Sequence, residues 1–340
     1  MSNFVDFILR NATAKIDGGS ITHFGDPETE YETARTAGSK CPLLSFGIVS
    51  IAGPDAQEFV NGQFTTNCTE ITLAHSQFSG WCDPKGRVLF LFTLYTDGEC
   101  IYAILPKTQI VDFMRRLQMY IMRADVQLDD VTTATAIFGS TGETGAHESA
   151  NALTLESPWG TTQSSPSTTI IRHGTGRTRF ITITSDSTAT EIWNAMDLPV
   201  IGEDAWTALE CVGGLPRLDG KSSGQYLPQN LNLDKLDAVS FSKGCYPGQE
   251  IVARLKYRGD VKKRLMVATI EANTAPDPRT LIHTKGDQRA VGHVLFAKQM
   301  SQSQSTVSAI VETKAWDESL IIDGASRFAV HRIDLPYEVD

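Results

Sequence analysis

The spacing of strand-like segments changes along this 340-residue chain, and the change constrains the fold more than any other sequence feature. Up to about residue 255, β-rich runs such as 44–51, 88–95 and 100–105 alternate with helical patterns, including a long one from Pro106 onward. From about Val261, short strands separated by polar loops replace this alternation. The first pattern predicts an α+β fold, with helices packed on one face of antiparallel sheet, and the second predicts a small β-barrel.

Three domains are expected, because a chain of this length usually divides into more than one hydrophobic core. We predict an N-terminal α+β domain, a second α+β domain and a C-terminal β-barrel, over residues 1–130, 131–255 and 256–340.

Local signals add detail to this division. The Asp97-Gly98 dipeptide predicts a hairpin between the strands before and after it. A Ser/Thr-rich stretch at 161–169 is interpreted as a loop that precedes a strand at 179–183. A helix over 204–212 is expected to end at Gly213-Gly214, since glycine commonly terminates helices.

Composition predicts a cytoplasmic protein without a metal centre of its own. Hydrophobic residues make up 41% and charged residues 21% of the chain, which is ordinary for a globular protein. The N-terminus lacks the pattern of a secretory signal, and no apolar run approaches the length of a membrane span. The 6 cysteines are scattered without a Cys-x-x-Cys pair, so we expect reduced thiols and no local ligand set for a metal.

The charge distribution bears on possible partners. A formal net charge of −10 argues against direct binding of nucleic acid, whose backbone is held mainly by Lys and Arg. A cluster of cations nevertheless follows residue 255. Its members are Lys256, Arg258, Lys262, Lys263 and Arg264. These cations could bind an anionic ligand or lie on a solvated strand edge.

Residues 243–250, the octet Lys-Gly-Cys-Tyr-Pro-Gly-Gln-Glu, combine a cation, a single thiol and several turn-forming residues. A thiolate is favoured by a nearby positive charge and by the N-terminal end of a helix, so Lys243 is expected to lower the pKa of Cys245. Gly248 allows a sharp turn, after which Gln249 and Glu250 open a predicted helix. The alternative is a tight turn around a buried, inert cysteine.

The octet and its surroundings resemble the signature of YgfZ-type folate-binding proteins, which are relatives of the glycine-cleavage T-protein, an aminomethyltransferase. The resemblance extends from about Leu44 to Arg264. The segments that carry it are the octet, the flanking stretches 227–232, 238–241 and 251–254, and the shorter matches 53–56, 82–87 and 214–216.

This resemblance implies a fold whose domains surround a central cavity that binds tetrahydrofolate or another folate. It also implies a role in maturing or repairing iron–sulfur enzymes, including those that modify tRNA, with those enzymes as protein partners. Cys245 matches the cysteine on which family activity rests, and Lys243 accompanies it. The matching residues expected to contact the cofactor are Tyr246, Gly248, Gln249, Glu250 and Arg254.

Two other functions compete with this one. A tetrahydrofolate-dependent aminomethyltransferase would need an acid or base near the folate, for which Asp83 is the candidate, although Asp83 also suits a turn. The T-protein hairpin that holds the pterin carries a glutamate, whereas the comparable segment 172–179 here is cationic. A non-catalytic module for RNA or for a protein partner is the third candidate, favoured by the cations from Lys256 to Arg264.

Overall fold

The computed structural model describes residues 3–10, 13–142, 155, 157–287, 289–323 and 327–339. Within this part of the chain, a short hairpin of β1 (Lys15–Asp17) and β2 (Ser20–His23) lies near the N-terminus. The helices are α1 (Asn3–Leu9), α2 (Pro27–Thr36), α3 (Ala56–Gln63), α4 (Ile110–Ile121), α5 (Asp186–Ala195), α6 (Glu203–Val212) and α7 (Gln249–Arg258). None of these described helices is long and apolar enough to cross a membrane.

The first sheet has five antiparallel strands in the order β5-β6-β7-β4-β8. Its strands are β4 (Phe46–Ala52), β5 (Gln77–Cys82), β6 (Val88–Thr96), β7 (Ile101–Pro106) and β8 (Gln127–Asp130). An aromatic core packs α3 and α4 against one face, where the ring of Phe64 contacts those of Trp81, Phe92 and Phe113. Burying such large apolar surfaces is the main stabilising contribution of this unit.

The second sheet also has five strands, in the order β10-β11-β12-β9-β3. Its strands are β3 (Ser39–Pro42), β9 (Thr135–Thr141), β10 (Thr161–Ser165), β11 (Thr168–Arg172) and β12 (Arg179–Ser185). Because β3 pairs with β9, the strand pairing crosses residue 130, where a domain boundary is predicted. The boundaries at 130 and 255 stay predictions.

Six C-terminal strands close into a barrel in the order β13-β16-β15-β14-β17-β18. They are β13 (Lys263–Glu271), β14 (Leu281–Thr284), β15 (Ala290–Gln299), β16 (Gln304–Glu312), β17 (Leu320–Ile322) and β18 (Phe328–Ile333). The barrel interior is apolar, and includes Met266, Ile282 and Val307. The predicted β-barrel is therefore confirmed, as is the α+β character of the rest.

Helix α6 occupies a central position. Eight of its residues are buried, including the acidic Glu203 and Glu210, so the helix is enclosed on nearly every side. Trp206 packs so closely on β9 that a side chain at Gly139 would lie 2.4 Å from its ring. On its barrel side, the Cys211 thiol accepts a hydrogen bond from Thr306 Oγ1 at 3.5 Å. This helix consequently carries buried charge to the middle of the molecule.

Local predictions are confirmed with one exception. The hairpin at Asp97-Gly98 joins β6 to β7, and α6 ends before Gly214, which has the left-handed φ of +71°. The predicted loop at 161–169 is wrong, because this stretch contains β10 and the start of β11, which pair in a hairpin. Threonine is β-branched and suits strands, so a Thr-rich run needs no hydrophobic alternation to form one.

Candidate functional site

The octet leaves the second α+β region, turns at Gly248 and enters α7. Gly248 has a φ of +79°, and a β-carbon there would lie 2.4 Å from both the Cα and the N of Gly86. Only glycine fits such an approach between two backbones. The octet is thereby pressed against the turn between β5 and β6.

Lys243 is held by backbone oxygens rather than by a carboxylate. Its ammonium donates hydrogen bonds to the carbonyls of Phe64 at 2.7 Å, Thr66 at 2.8 Å and Asn61. The first and last of these lie at the C-terminal end of α3, where free carbonyls need donors. Burial lowers the pKa of Lys243 to about 8. This side chain therefore ties the octet to the first sheet's helical face.

The charge of Lys243 acts on the thiol of Cys68, which is buried. Burial raises the pKa of the Cys68 thiol to about 11, and the charge of Lys243 opposes that rise. The predicted effect of Lys243 on the reactivity of Cys245 stays a prediction.

Cys245 differs from the other cysteines in its accessibility. It is exposed, whereas Cys100 is partly buried and Cys41, Cys68, Cys82 and Cys211 are buried. A thiol must reach its reaction partner, so Cys245 is the cysteine best placed for chemistry with another molecule. The alternative prediction that the cysteine of the octet is buried is wrong, whereas its reactivity stays a prediction.

Tyr246, next to it, points the other way. Its side chain is buried, burial raises its pKa, and its hydroxyl has no hydrogen-bond partner among the described residues. Its ring also lies 5.3 Å from the Lys243 ammonium. Tyr246 therefore anchors the octet in the protein interior, while Cys245 faces solvent.

The remaining octet residues lie at the start of α7. The Gln249 amide donates to the carbonyl of Lys243 at 3.5 Å, within the octet itself. Glu250 and Arg254 are exposed and form an ion pair at 3.5 Å. As cofactor contacts, Tyr246, Gly248, Gln249, Glu250 and Arg254 stay predictions.

Asp83 organises the turn that supports the octet. Its Oδ1 accepts hydrogen bonds from the backbone N–H groups of Lys85 at 2.8 Å and Arg87 at 2.9 Å. This arrangement is the Asx turn in which aspartate is common. These contacts account for Asp83 without a role in acid–base chemistry.

A cavity lies where the first sheet meets α6 and the segment that follows it. Aromatic and aliphatic side chains form most of its wall, and polar side chains form the rest. The apolar residues include Phe46, Phe78, Leu91, Phe92, Ile104 and Leu215, and the polar ones include His173, Glu210 and Arg217. A predominantly apolar pocket with a few convergent polar groups is typical of small-molecule sites.

Glu210 is the centre of the polar cluster. Its Oε1 accepts hydrogen bonds from His173 Nε2 at 2.9 Å and Trp206 Nε1 at 3.0 Å, and its Oε2 accepts one from Arg217 at 2.7 Å. Burial alone would raise the pKa of Glu210, but the hydrogen bond from His173 and the charge of Arg217 lower it to about 2. Glu210 is therefore ionised at neutral pH.

His173 is the neutral member of this cluster. Burial lowers its pKa, against the pull of Glu210. Since an ionised carboxylate carries no proton, His173 must bear its proton on Nε2, and its buried Nδ1 is an acceptor without a partner among the described residues. The cluster thus presents one fixed anion, one unused acceptor and the Arg217 cation.

Arg217 lies at the edge of the polar cluster, beside two aromatic rings. Its guanidinium carbon lies 5.5 Å from the ring centroid of Phe46 and 5.7 Å from that of Phe296, and its side chain is 24% exposed. It is more exposed than Glu210 and His173, at 5% and 7%. Arg217 is therefore the member of the cluster that can most easily change position.

A second, polar cleft adjoins the first cavity at Phe78. It has a volume of about 600 Å³ and is bordered by Thr66, His75, Gln77, Ser240 and other polar residues. Phe78 stacks on Trp159 with ring centroids 5.4 Å apart, and the edge of Trp159 meets His173. Trp159 has a φ of +67°, an unusual conformation for a bulky residue. This aromatic pair separates the two spaces.

The cavity suits a folate in chemistry, with one condition of size. Flat aromatic rings pack well on walls such as Phe46 and Phe78, and a pterin's donor edge suits a carboxylate such as Glu210. The cavity's volume is only about 60 Å³, so a bicyclic ring fits only after Arg217 or the aromatic pair moves. None of the described residues that line either space belongs to the octet.

Sequence reasoning did not single out His173, Glu210 and Arg217 as a cluster. They come from the turn after β11, from α6 and from the segment after it, so they meet only in the fold. A usable signal was present in α6, where Glu210 stands among apolar residues in a helix enclosed on most sides.

The architecture places the chain in a known structural class. It superposes on the crystal structure of glycine cleavage system aminomethyltransferase T from Bartonella henselae with a TM-score of 0.79, covering 97% of this chain and 96% of that one. Their sequences are 13% identical, so the match establishes the fold.

Sequence similarity adds a more specific relation. Proteins named tRNA-modifying protein YgfZ are 27% identical over 319 residues in one Escherichia coli strain and 26% identical over 317 residues in Shigella boydii. Each alignment covers 90% of this chain and 96% of the relative. No family model matches the chain. The chain is therefore similar in sequence to the YgfZ proteins and has the T-protein fold, which confirms the resemblance inferred from its motifs.

Among the described residues, no group of three or more His, Cys, Asp or Glu side chains lies close enough to hold a metal ion.

Proposed function

We propose that this protein is a folate-binding accessory factor that supports the maturation or repair of iron–sulfur enzymes, including enzymes that modify tRNA, and that Cys245 carries this activity. The observation that carries the proposal is the exposed thiol of Cys245 on a loop fixed from below by Lys243, Tyr246 and Gly248. A reactive group on a rigid support can meet a partner protein without reorganisation. The name of the YgfZ relatives supports the link to tRNA modification.

The folate part of the proposal rests on the cavity beside Glu210. Phe46, Phe78 and Leu91 would hold the ring, and Glu210 with Arg217 would supply polar recognition. Bound tetrahydrofolate would bring a reduced pterin to the cavity. The reduced state of the thiols and the acidic composition suit a cytoplasmic protein.

An aminomethyltransferase function receives less support. Proton transfer to a folate needs an acid or base within hydrogen-bond reach of the reacting atom. Asp83 lies in a turn against the octet and does not line the cavity, and Glu210, whose pKa is lowered to about 2, is a weak base.

Replacement of Cys245 tests the thiol. In cells that lack the native protein, Cys245→Ser should lose support for an iron–sulfur tRNA-modifying enzyme, measured as the fraction of tRNA that carries its product. Cys100→Ser, which changes a partly buried thiol elsewhere, should retain it. Both variants should melt at the temperature of the native protein. Full support by Cys245→Ser would refute the proposed role.

Binding of tetrahydrofolate tests the cavity. Titration should change the fluorescence of the protein, because Trp159 borders the cavity through Phe78. Leu91→Trp should abolish binding by filling the space, whereas Leu73→Trp, at a position 46% exposed, should not. The rate of Cys245 alkylation with and without tetrahydrofolate then shows whether the two regions are coupled. Equal binding by both tryptophan variants would place the folate elsewhere.

A further inference from the structure

Helix α7 presents several cations and one aromatic ring together on the surface beside the octet. Arg254, Lys256 and Arg258 are exposed, and Tyr257 is exposed to 69% between the last two. Lys262 adds another exposed cation where the chain leads into β13. In a chain of net charge −10, this is a local concentration of positive charge.

The aromatic residues form a contact of their own. Phe241, which precedes the octet, packs its ring against the edge of Tyr257, with centroids 6.3 Å apart. The Lys256 ammonium lies 5.4 Å from the Phe241 centroid. Phe241 and Tyr257 are 16 positions apart in the sequence, so the contact between their rings depends on the fold. We call Phe241, Arg254, Lys256, Tyr257, Arg258 and Lys262 the α7 surface.

The cations of the α7 surface are little compensated by protein carboxylates. Arg254 has one weak ion pair with Glu250, at 3.5 Å, whose side chains are 67% and 87% exposed. Within the part of the chain that the structure describes, Lys256, Arg258 and Lys262 have no carboxylate at ion-pair distance. Cations near a helix C-terminus also favour the helix dipole. That effect does not require an exposed tyrosine among them.

We propose that the α7 surface binds RNA, with its cations on the phosphates and Tyr257 stacked on an unpaired base. A cationic surface with accessible aromatic rings is the common arrangement of proteins that bind single-stranded segments. An exposed tyrosine offers a flat face to any base, and the Phe241 contact orders its ring before binding. This inference revises the expectation that the acidic chain avoids nucleic acid, because Phe241 and Tyr257 supply the aromatic partners for the cations.

This inference goes beyond the proposed function and does not depend on the chemistry of the thiol or on folate. Cys245→Ser should bind RNA as the native protein does. Loss of function in that variant with RNA binding intact, or weakened RNA binding in Tyr257→Ala with the thiol-dependent function intact, would therefore distinguish the two proposals.

The test is binding of an unmodified tRNA transcript to the full-length protein, measured by fluorescence anisotropy over a range of salt concentrations. Engagement of four cations predicts that log K falls with log salt with a slope of about −3. The triple variant Arg254→Gln, Lys256→Gln, Arg258→Gln should weaken binding and reduce the magnitude of the slope by about 2. A control with the same charge change on exposed cations of β1, α2 and α4 is Lys15→Gln, Arg35→Gln, Arg115→Gln.

Tyr257 separates RNA from an acidic polypeptide as the occupant. Tyr257→Ala should weaken tRNA binding about tenfold, and Tyr257→Phe should preserve it, because stacking needs the ring and not the hydroxyl. If the triple variant and its control bind equally, the proposal fails. It also fails if polyglutamate competes as well as RNA of equal charge and Tyr257→Ala has no effect, since the surface would then suit an acidic protein.

Discussion

The octet and the cavity each bury one charge beside the first sheet, but they stabilise it differently. At the octet, the Lys243 ammonium is met by three backbone carbonyls, whose positions are set by α3 and the chain after it. In the cavity, Glu210 is met by side chains of His173, Trp206 and Arg217. Backbone partners cannot titrate or change rotamer, whereas His173 can titrate and Arg217 can change rotamer.

This difference assigns separate roles to the two regions. We expect the octet to act as a rigid support that keeps Cys245 exposed, and the polar wall of the cavity to reorganise around a ligand. Substitutions in the cavity should therefore change how the free energy of unfolding depends on pH. Substitutions in the octet should change the exposure and reactivity of Cys245. The following variants test this division.

The largest loss is expected from Glu210→Ala. Removing the carboxylate leaves Arg217 without its anion and removes the acceptor for His173 and Trp206. Loss of one partner of a buried ion pair costs about 3 to 5 kcal/mol in the free energy of unfolding. Urea denaturation would measure it. A loss below about 1 kcal/mol would mean that the cluster relaxes readily and is not a fixed anion site.

Acid should reveal the same carboxylate in the native protein. The pKa of Glu210 falls from 4.5 to about 2 on folding, so the unfolded chain binds the proton first as pH decreases. The stabilisation is therefore fully present above about pH 4.5 and is lost as pH falls towards 2, by about 3 kcal/mol. Burial also lowers the pKa of His173, which adds a loss in the same direction from about pH 6.5 downward.

Unfolding free energies between pH 7 and pH 2.5 would check this dependence. Glu210→Gln has no carboxylate at this position and should show a shallower decline. Parallel curves for the native protein and the Gln variant would contradict the ionised state assigned to Glu210.

At the octet, Gly248→Ala tests the close approach to the supporting turn. The new β-carbon would lie 2.4 Å from backbone atoms of Gly86, at a φ of +79°. Overpacking and left-handed backbone strain together should cost about 2 to 3 kcal/mol. Gly244→Ala is the matched control, since nothing lies within 4 Å of its new β-carbon and its φ is ordinary. Similar unfolding free energies for the two variants would contradict the contact.

Sequence patterns predicted most of the fold because its strands and helices have strong local signals. Strands β4, β6 and β7 carry long apolar runs, and the Asp-Gly turn fixes one hairpin. The short strands β14 and β17, of four and three residues, were not predicted. Elements this short contain too few positions for a periodic pattern. The sequence of β10 resembles a loop because its residues are polar, but its β-branched threonines favour a strand.

The site was only partly predictable for a different reason. The octet is contiguous, so its turn and its glycine could be inferred from neighbouring residues, whereas the exposure of Cys245 was left open. His173, Glu210 and Arg217 belong to three separate segments, and their contact depends on how α6 packs against the second sheet. The hydrogen-bond partners of Lys243 could not be predicted either, because every residue type carries a backbone carbonyl.

Lys243→Met gives the smallest expected loss and tests whether the octet is a rigid support. Methionine keeps much of the apolar stem but removes the donor for the carbonyls of Asn61, Phe64 and Thr66. Unpaired buried acceptors cost free energy, while relief from burying a charge offsets part of that cost, so we expect a net loss of about 1 to 2 kcal/mol. Lys256→Met, at an exposed position, should be nearly neutral. Cys245 should be alkylated at a different rate in Lys243→Met and at the native rate in Lys256→Met, because only the first loosens the loop that carries it. An unchanged unfolding free energy together with an unchanged alkylation rate would show that Tyr246 and Gly248 fix the octet without the lysine.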